Sequence, residues 1–271
     1  MEVENMISLP LLKKEIKSNY IFILIFAAII TMYSTIIVTM YDPKMEDSLT
    51  IMAKSMPEVF EAFGIDDPGS SLIEFIANYL YGFILIVFPL IFVLILSNRL
   101  IAHYVDTGSM AYILATPNKR SKIAITQAFL MILGLILLVV YATALILMVS
   151  HIMFDEKINI SRFISLNFGL FCLLLFFGGL AFLSACIFNE TKLATGVASG
   201  LSVIFILIQM IQDVGDKMEW LKYLTPMTLF DSNALISGNK DGTYGVLILF
   251  ALGLIMIILG IQIFRKRNLP L

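Results

Sequence analysis

His103, His151 and Ser199, the serine of "GVASG", come nearest to a catalytic set in this chain. A serine nucleophile needs a base to take its proton. An intramembrane serine protease carries that histidine later in the chain than the serine, and here both histidines precede Ser199. An aspartyl intramembrane protease needs paired aspartates within apolar helices, and the long apolar stretches hold none. No HExxH or comparably close ligand spacing points to a metal. The nearest approach to a phosphate loop, "GNKDGT" at Gly238, lacks the GxxxxGK[ST] pattern. No cofactor bound by this chain is expected, so the energy for any active transport must come from another chain.

Cys172 and Cys186 fall fourteen positions apart on one expected helix. At the α-helical rise this separates them by about 21 Å. They cannot bond to each other and read as buried apolar thiols. The polar residues of the apolar stretches are uncharged: Asn78, Gln127, Asn167, Gln209, Gln212 and Gln262. Coupling to protons or sodium usually places ionisable groups at mid-membrane, and their absence weighs against it. Several of the six lie near helix ends, where interfacial hydrogen bonding accounts for them.

The elements that must position these residues follow from composition. Of 271 residues 59% are hydrophobic and only 14% charged, against about a quarter charged in soluble domains. A membrane-crossing helix needs roughly 20 mostly apolar residues. Six stretches free of Asp, Glu, Lys and Arg meet that length, at 20–41, 75–98, 123–152, 163–189, 193–212 and 242–264. Their continuous Ile, Leu and Phe runs lack the alternation of barrel strands. The expected fold is an all-α membrane protein with six transmembrane helices in a single domain.

Placing both termini in the cytoplasm puts eleven of the eighteen basic residues and five of the twenty acids inside. The inner segments then carry +6 and the outer ones −8, in line with the positive-inside rule. The first span is long for a signal-peptide core and no small-x-small site follows it, so cleavage is not expected. Ahead of that span, Leu9, Leu12 and Ile16 share one helical face and Lys13, Lys14 and Lys17 lie toward the other. This pattern fits a short amphipathic helix on the inner leaflet, or an ordinary basic flank to the span.

In the first outer loop Leu49, Met52, Ala53, Met56, Phe60 and Phe63 recur at helical spacing. Ser55 with Glu58, and Ser71 with Glu74, have the spacing of capping boxes, so short outer helices are expected around a "GIDDPG" turn. Pro89 should kink the second span. Near the last span Trp220 and Tyr223 suit the headgroup level. The short apolar "TPMTLF" should dip into the interface or pack between helices.

Between the second and third spans lies "HYVDTGSMAYILATPNKR", residues 103–120. Asp106 or Thr107 can cap a short helix over 108–115, and Pro117 ends it. One face would show Tyr104, Gly108, Ala111, Tyr112 and Ala115. Such a knob fits a groove on a soluble partner, or it packs on its own bundle. In the fifth span, Gly196 and Gly200 have GxxxG spacing. They suit close packing between subunits, or within one.

The loop at 99–122, with Asp106, Gly108-Ser109, Pro117 and Arg120, resembles that of the permease subunits of type-2 ABC transporters. Those loops commonly run from an acid and Gly-Thr or Gly-Ser through a short helix to Pro followed closely by Arg. "MPEVFEAFGID" (56–66), "WLKYLTPMTLFDSNALISG" (220–238) and "IFRKRNL" near the C-terminus are similar to the family as well. The likeness extends over nearly the whole chain. It implies that the loop is a coupling helix docking on a separate ATP-hydrolysing subunit. Tyr104, Asp106, Thr107, Gly108, Ser109, Ala111, Tyr112, Pro117 and Arg120 would carry that contact. It further implies two ATPase subunits, which bind the ATP and Mg, beneath two permease copies or this chain and a related one. The setting would be a bacterial cytoplasmic membrane, with lipid but no nucleic acid as a partner. The uncharged spans favour export of an amphipathic or hydrophobic substrate, such as a peptide or drug. The competing expectations are a stand-alone ion or small-solute transporter, and a non-transporting membrane sensor or tether.

Overall fold

The computed structural model describes residues 7–42, 51–52, 54–57, 59, 71–116, 118–154, 158–213 and 216–267. Among these the chain is 89% helical with no strand, so every crossing is a helix. Six helices are long and apolar enough to cross a membrane, as the hydropathy pattern predicts. They are α1 (Leu9–Met40), α2 (Leu72–Asp106), α4 (Arg120–Met153), α5 (Ile160–Ile187), α6 (Thr191–Asp213) and α8 (Lys240–Lys266). Among the described residues there are also two short α-helices, α3 (Met110–Leu114) and α7 (Ser232–Ser237), and two 3-10 helices, Asp216–Tyr223 and Pro226–Leu229.

Helices α1 and α2 extend well past their apolar stretches. At the α-helical rise, 32 residues of α1 measure about 48 Å, far more than a hydrocarbon core of about 30 Å. The helix expected at residues 9–17 forms, and it continues without a break into the first span. Its bundle-facing side carries Leu11, Glu15 and Asn19, while Leu9 and Ile16 are exposed. That corrects the face expected from hydropathy alone. A backbone bond from Ser8 N–H to Thr126 Oγ1, at 2.9 Å, ties the start of α1 to α4.

Helix α5 is the centre of the bundle. Its apolar window is 78% buried, against 22% in α1 and 17% in α6, so those two lie at the periphery. Lipid tails give helices no hydrophobic reason to associate, so close packing and polar bonds must hold the bundle. Both are present around α5. A Cβ on Gly179 would meet the Gly253 carbonyl oxygen at 2.7 Å, and one on Gly253 would meet the Leu175 carbonyl at 2.9 Å. Helices α5 and α8 therefore touch backbone to backbone.

Tyr81 of α2 donates to Asn167 Oδ1 of α5 at 2.8 Å, and Asn167 Nδ2 donates to the Phe163 carbonyl at 2.8 Å. Both side chains are buried. Tyr81→Phe strands a buried acceptor, an expected loss of about 1–3 kcal/mol. A lowered unfolding midpoint in detergent would register it; an unchanged midpoint would show the bond to be idle.

Ser71 and Glu74 form the capping box their spacing predicts: Glu74 N–H donates to Ser71 Oγ at 3.4 Å and Ser71 N–H to Glu74 Oε2 at 3.2 Å. The other expected box is described at Ser55 alone. Ser55 donates to the Ile51 carbonyl at 2.8 Å within a helical turn, and Glu58 and the "GIDDPG" turn lie outside the described residues. Pro89 sits inside the α-helical part of α2, after a π-helical stretch at Ala77–Ile84. A second π-helical stretch occupies Asn98–Ala102.

Candidate functional site

The loop between the second and third spans is built from the end of α2. That helix does not stop where its apolar stretch ends but continues to Asp106. Thr107 closes it, its hydroxyl donating to the His103 carbonyl at 2.7 Å. Gly108 then takes a φ of +68°, a left-handed conformation that costs other L-residues roughly 1–2 kcal/mol. Its N–H reaches the Val105 carbonyl at 3.1 Å, and the Ser109 hydroxyl donates to the Tyr104 carbonyl at 3.5 Å. These bonds satisfy carbonyls that a helix end leaves free.

Helix α3 follows. Met110 is buried and fixes it to the bundle, while Ile113 and Leu114 pack partly against the core. Tyr112 projects outward with 83% of its surface exposed. Ala115 and Thr116 are exposed beside it, and Ala111 is half-buried. The chain turns back through bonds from Thr116 Oγ1 to the Ile113 carbonyl (2.6 Å) and from Asn118 N–H to the Thr116 carbonyl (2.7 Å).

Several expectations about this loop change. Asp106 and Thr107 end α2 rather than cap α3; Ser109 precedes α3 and makes no side-chain cap bond. The left-handed turn at Gly108 separates the two helices, so α3 is five residues long instead of spanning 108–115. Tyr104 belongs to α2 and turns inward, donating to Glu15 Oε1 at 2.8 Å, so it does not share a face with Tyr112. Pro117 lies outside the described residues.

Arg120 begins α4 and donates to the Arg267 carbonyl at 2.8 Å. Arg267 in turn donates to the Cys186 carbonyl at 2.7 Å and to Asn189 Oδ1. Partial burial lowers the pKa of Arg267 from its ordinary value. Together the two arginines clamp the start of α4, the turn between α5 and α6, and the end of α8. Arg120 is thus spoken for inside the chain.

The sequence pattern of the ABC-2 family transporter proteins matches residues 10–269. This chain belongs to the ABC-2 transporter family. It is a membrane permease of the type-2 ABC class, as the loop and its flanking motifs predict. No curated protein matches the chain.

In this ABC-2 protein the other candidates separate from the loop. Ser199 donates back to the Thr195 carbonyl at 2.7 Å inside α6. Cys172 and Cys186 are free and buried. Gly196 and Gly200 would find nothing within 4 Å of an added Cβ, so they do not serve packing among the described residues of one copy. Two of the glycines that do, Gly179 and Gly253, stand on different helices, and no spacing within one sequence stretch could have marked them as a pair.

At the acidic end, "TPMTLF" packs between helices. Thr225 donates to the Phe205 carbonyl of α6 at 3.1 Å, and Met227 and Phe230 are buried. Beside it a cavity of about 830 Å³ opens between α2 and α6. Its lining includes the apolar Phe83, Ile86, Phe205 and Ile206 and the polar Gln209, Lys222 and Asp231. Trp220 and Tyr223 are exposed nearby.

Proposed function

We propose that this permease works with a separate ATP-hydrolysing subunit that docks on α3 and the turn at Gly108. The observation that carries this reading is Tyr112, an aromatic side chain exposed on a helix that is itself anchored by buried Met110. Tyrosine at a fixed position provides contact area at small entropic cost, which is why it recurs in binding hot spots. Helix α2 runs unbroken from the loop to the opposite end of the bundle, so a push on the loop reaches the far side. The basic end would face the cytoplasm of a bacterial cell membrane, where two ATPase subunits supply ATP and Mg. Two permease copies, or this chain and a related one, would form the pathway. The open faces of Gly196 and Gly200 suit contact between copies. The cavity beside residues 225–230 supports export of an amphipathic or hydrophobic substrate, such as a peptide or drug.

Co-purification in detergent with candidate ABC ATPases tests the reading. Capture of one ATPase, with its hydrolysis changed by the permease, is the expected result. Failure of a folded permease to capture any, combined with ATP-independent flux in liposomes, would favour a stand-alone transporter. Capture without flux would favour a sensor or tether.

A further inference from the structure

Glu15 is a charged residue in a place where an apolar one would serve. It lies on the packed side of α1 between Leu11 and Asn19, and only 2% of its surface is exposed. Burying a carboxylate is costly unless its oxygens are bonded. Here Oε1 accepts from the Tyr104 hydroxyl at 2.8 Å and Oε2 from Asn19 Nδ2 at 3.4 Å. Lys14 sits 5.1 Å from the centre of the Tyr104 ring, with its Nζ 3.5 Å from the hydroxyl. Arg99 reaches the same helix, donating to the Ser18 carbonyl at 3.5 Å and lying over the Phe22 ring.

Arg99 and Tyr104 are five residues apart. On an α-helix that spacing points them about 140° apart, since each residue turns the helix by about 100°. The π-helical stretch at Asn98–Ala102 lies between them. Its i→i+5 bonding brings positions five apart onto one side. The wide turn is therefore what lets α2 place both residues against α1. Tyr104 also has its carbonyl on the Ser109 hydroxyl. The chain of bonds thus runs from Glu15 through Tyr104 to the turn that carries α3.

We propose that Glu15 is a positioning residue for the coupling loop: through Tyr104 it fixes the direction in which the Gly108 turn presents Tyr112. This rests on the reading of the loop as the ATPase docking site, and it adds that α1 sets that site. A residue needed only for folding would lower stability and capture together, whereas a positioning residue alters the direction of the loop in a chain that stays folded.

The test uses spin labels at Lys17→Cys and Ala115→Cys, both exposed positions, in the full chain in detergent. Cys172 and Cys186 are buried, leaving the two introduced thiols as labelling sites. The expected result is one narrow distance distribution for the parent chain and for Glu15→Gln. The glutamine Oε1 can still accept from Tyr104, and its Nε2 can donate to Asn19 Oδ1, which is buried without a partner. Glu15→Leu and Tyr104→Phe should each broaden the distribution, and the double variant should broaden it no further. In the same preparations Glu15→Leu should stay folded, with an unfolding midpoint no lower than that of Tyr104→Phe, which breaks the same bond and leaves the carboxylate behind. Capture of the ATPase by Glu15→Leu should fall about tenfold, the scale of one hydrogen bond to a charged group. A narrow distribution in Glu15→Leu, or a loss of capture that follows a fall in midpoint, overturns the proposal. If the parent chain captures no ATPase, the docking reading fails, while the distance measurement still decides whether Glu15 sets the loop.

Discussion

Replacing Gly253 by leucine is expected to abolish the folded bundle. The added Cβ alone would lie 2.9 Å from the backbone of Leu175, and the remaining atoms have no space at a backbone-to-backbone crossing. Backbone cannot rotate aside as a side chain can, so α5 and α8 must separate. Helix α5 is the most buried span, and moving it disturbs every neighbour. Even Gly253→Ala should cost about 1–3 kcal/mol, the usual range for an overfilled core. Gly196→Ala supplies the contrast. It has open space around it and sits in a helix interior, where alanine is favoured over glycine by roughly 1 kcal/mol. The check is recovery of a monodisperse peak on size exclusion, followed by an unfolding midpoint. A Gly253→Leu chain that elutes and melts like the parent would mean that the crossing is not what holds the bundle.

Tyr112→Ala should leave folding intact and remove coupling. Tyr112 is 83% exposed, so its loss opens no cavity and the unfolding midpoint should not move. At a binding hot spot, truncation of tyrosine costs about 2 kcal/mol or more, near thirtyfold in affinity. ATPase capture should weaken by about that factor, and transport should fall with it. Gly108 separates two explanations of loop failure. Gly108→Val forces a β-branched residue into a φ of +68° and should disturb the turn. Gly108→Asn tolerates that conformation far better and should preserve coupling. If the two behave alike, side-chain bulk toward the partner matters, and the backbone conformation does not. Unchanged capture in Tyr112→Ala would move the docking face elsewhere.

The six crossings were legible because hydropathy and length are properties of continuous stretches. The ends were harder to read. Residues 99–106 contain Arg99, His103, Tyr104 and Asp106, a polar mixture that reads as loop, yet they continue α2 as helix beyond its apolar part. Nothing in "NRLIA" signals a π-helical turn, because that geometry answers to packing on α1 and not to local propensity. Glu15 was hidden for a related reason. In "LLKKEIKSN" it looks like one charge among the solvated lysines, and only the approach of Tyr104, some ninety residues later, puts it inside. The short helix after Asp106 was foreseeable from its cap candidates and Pro117, but the role of Gly108 was not. Spacing suggests room for a partner, whereas the positive φ shows a turn that glycine suits best. The same limit applies to Gly196 and Gly200, whose spacing announces close packing without naming the surface that meets them.

The unbroken course of α2 has a mechanical consequence. Its 35 residues make a rod of about 50 Å at the helical rise. Tilting a rod of that length by about 5° about one end sweeps the other end through about 4 Å, close to the width of a water molecule plus its clearance. If the helix tilts about its loop end, the displacement at the cavity end is about twice that at the bundle's centre, from the geometry of a rod alone. Pro89 stands at the middle of this rod, where it removes one α-helical bond, and the π-helical stretches lie to either side of it, at Ala77–Ile84 and Asn98–Ala102, so any bending would be shared among these three places.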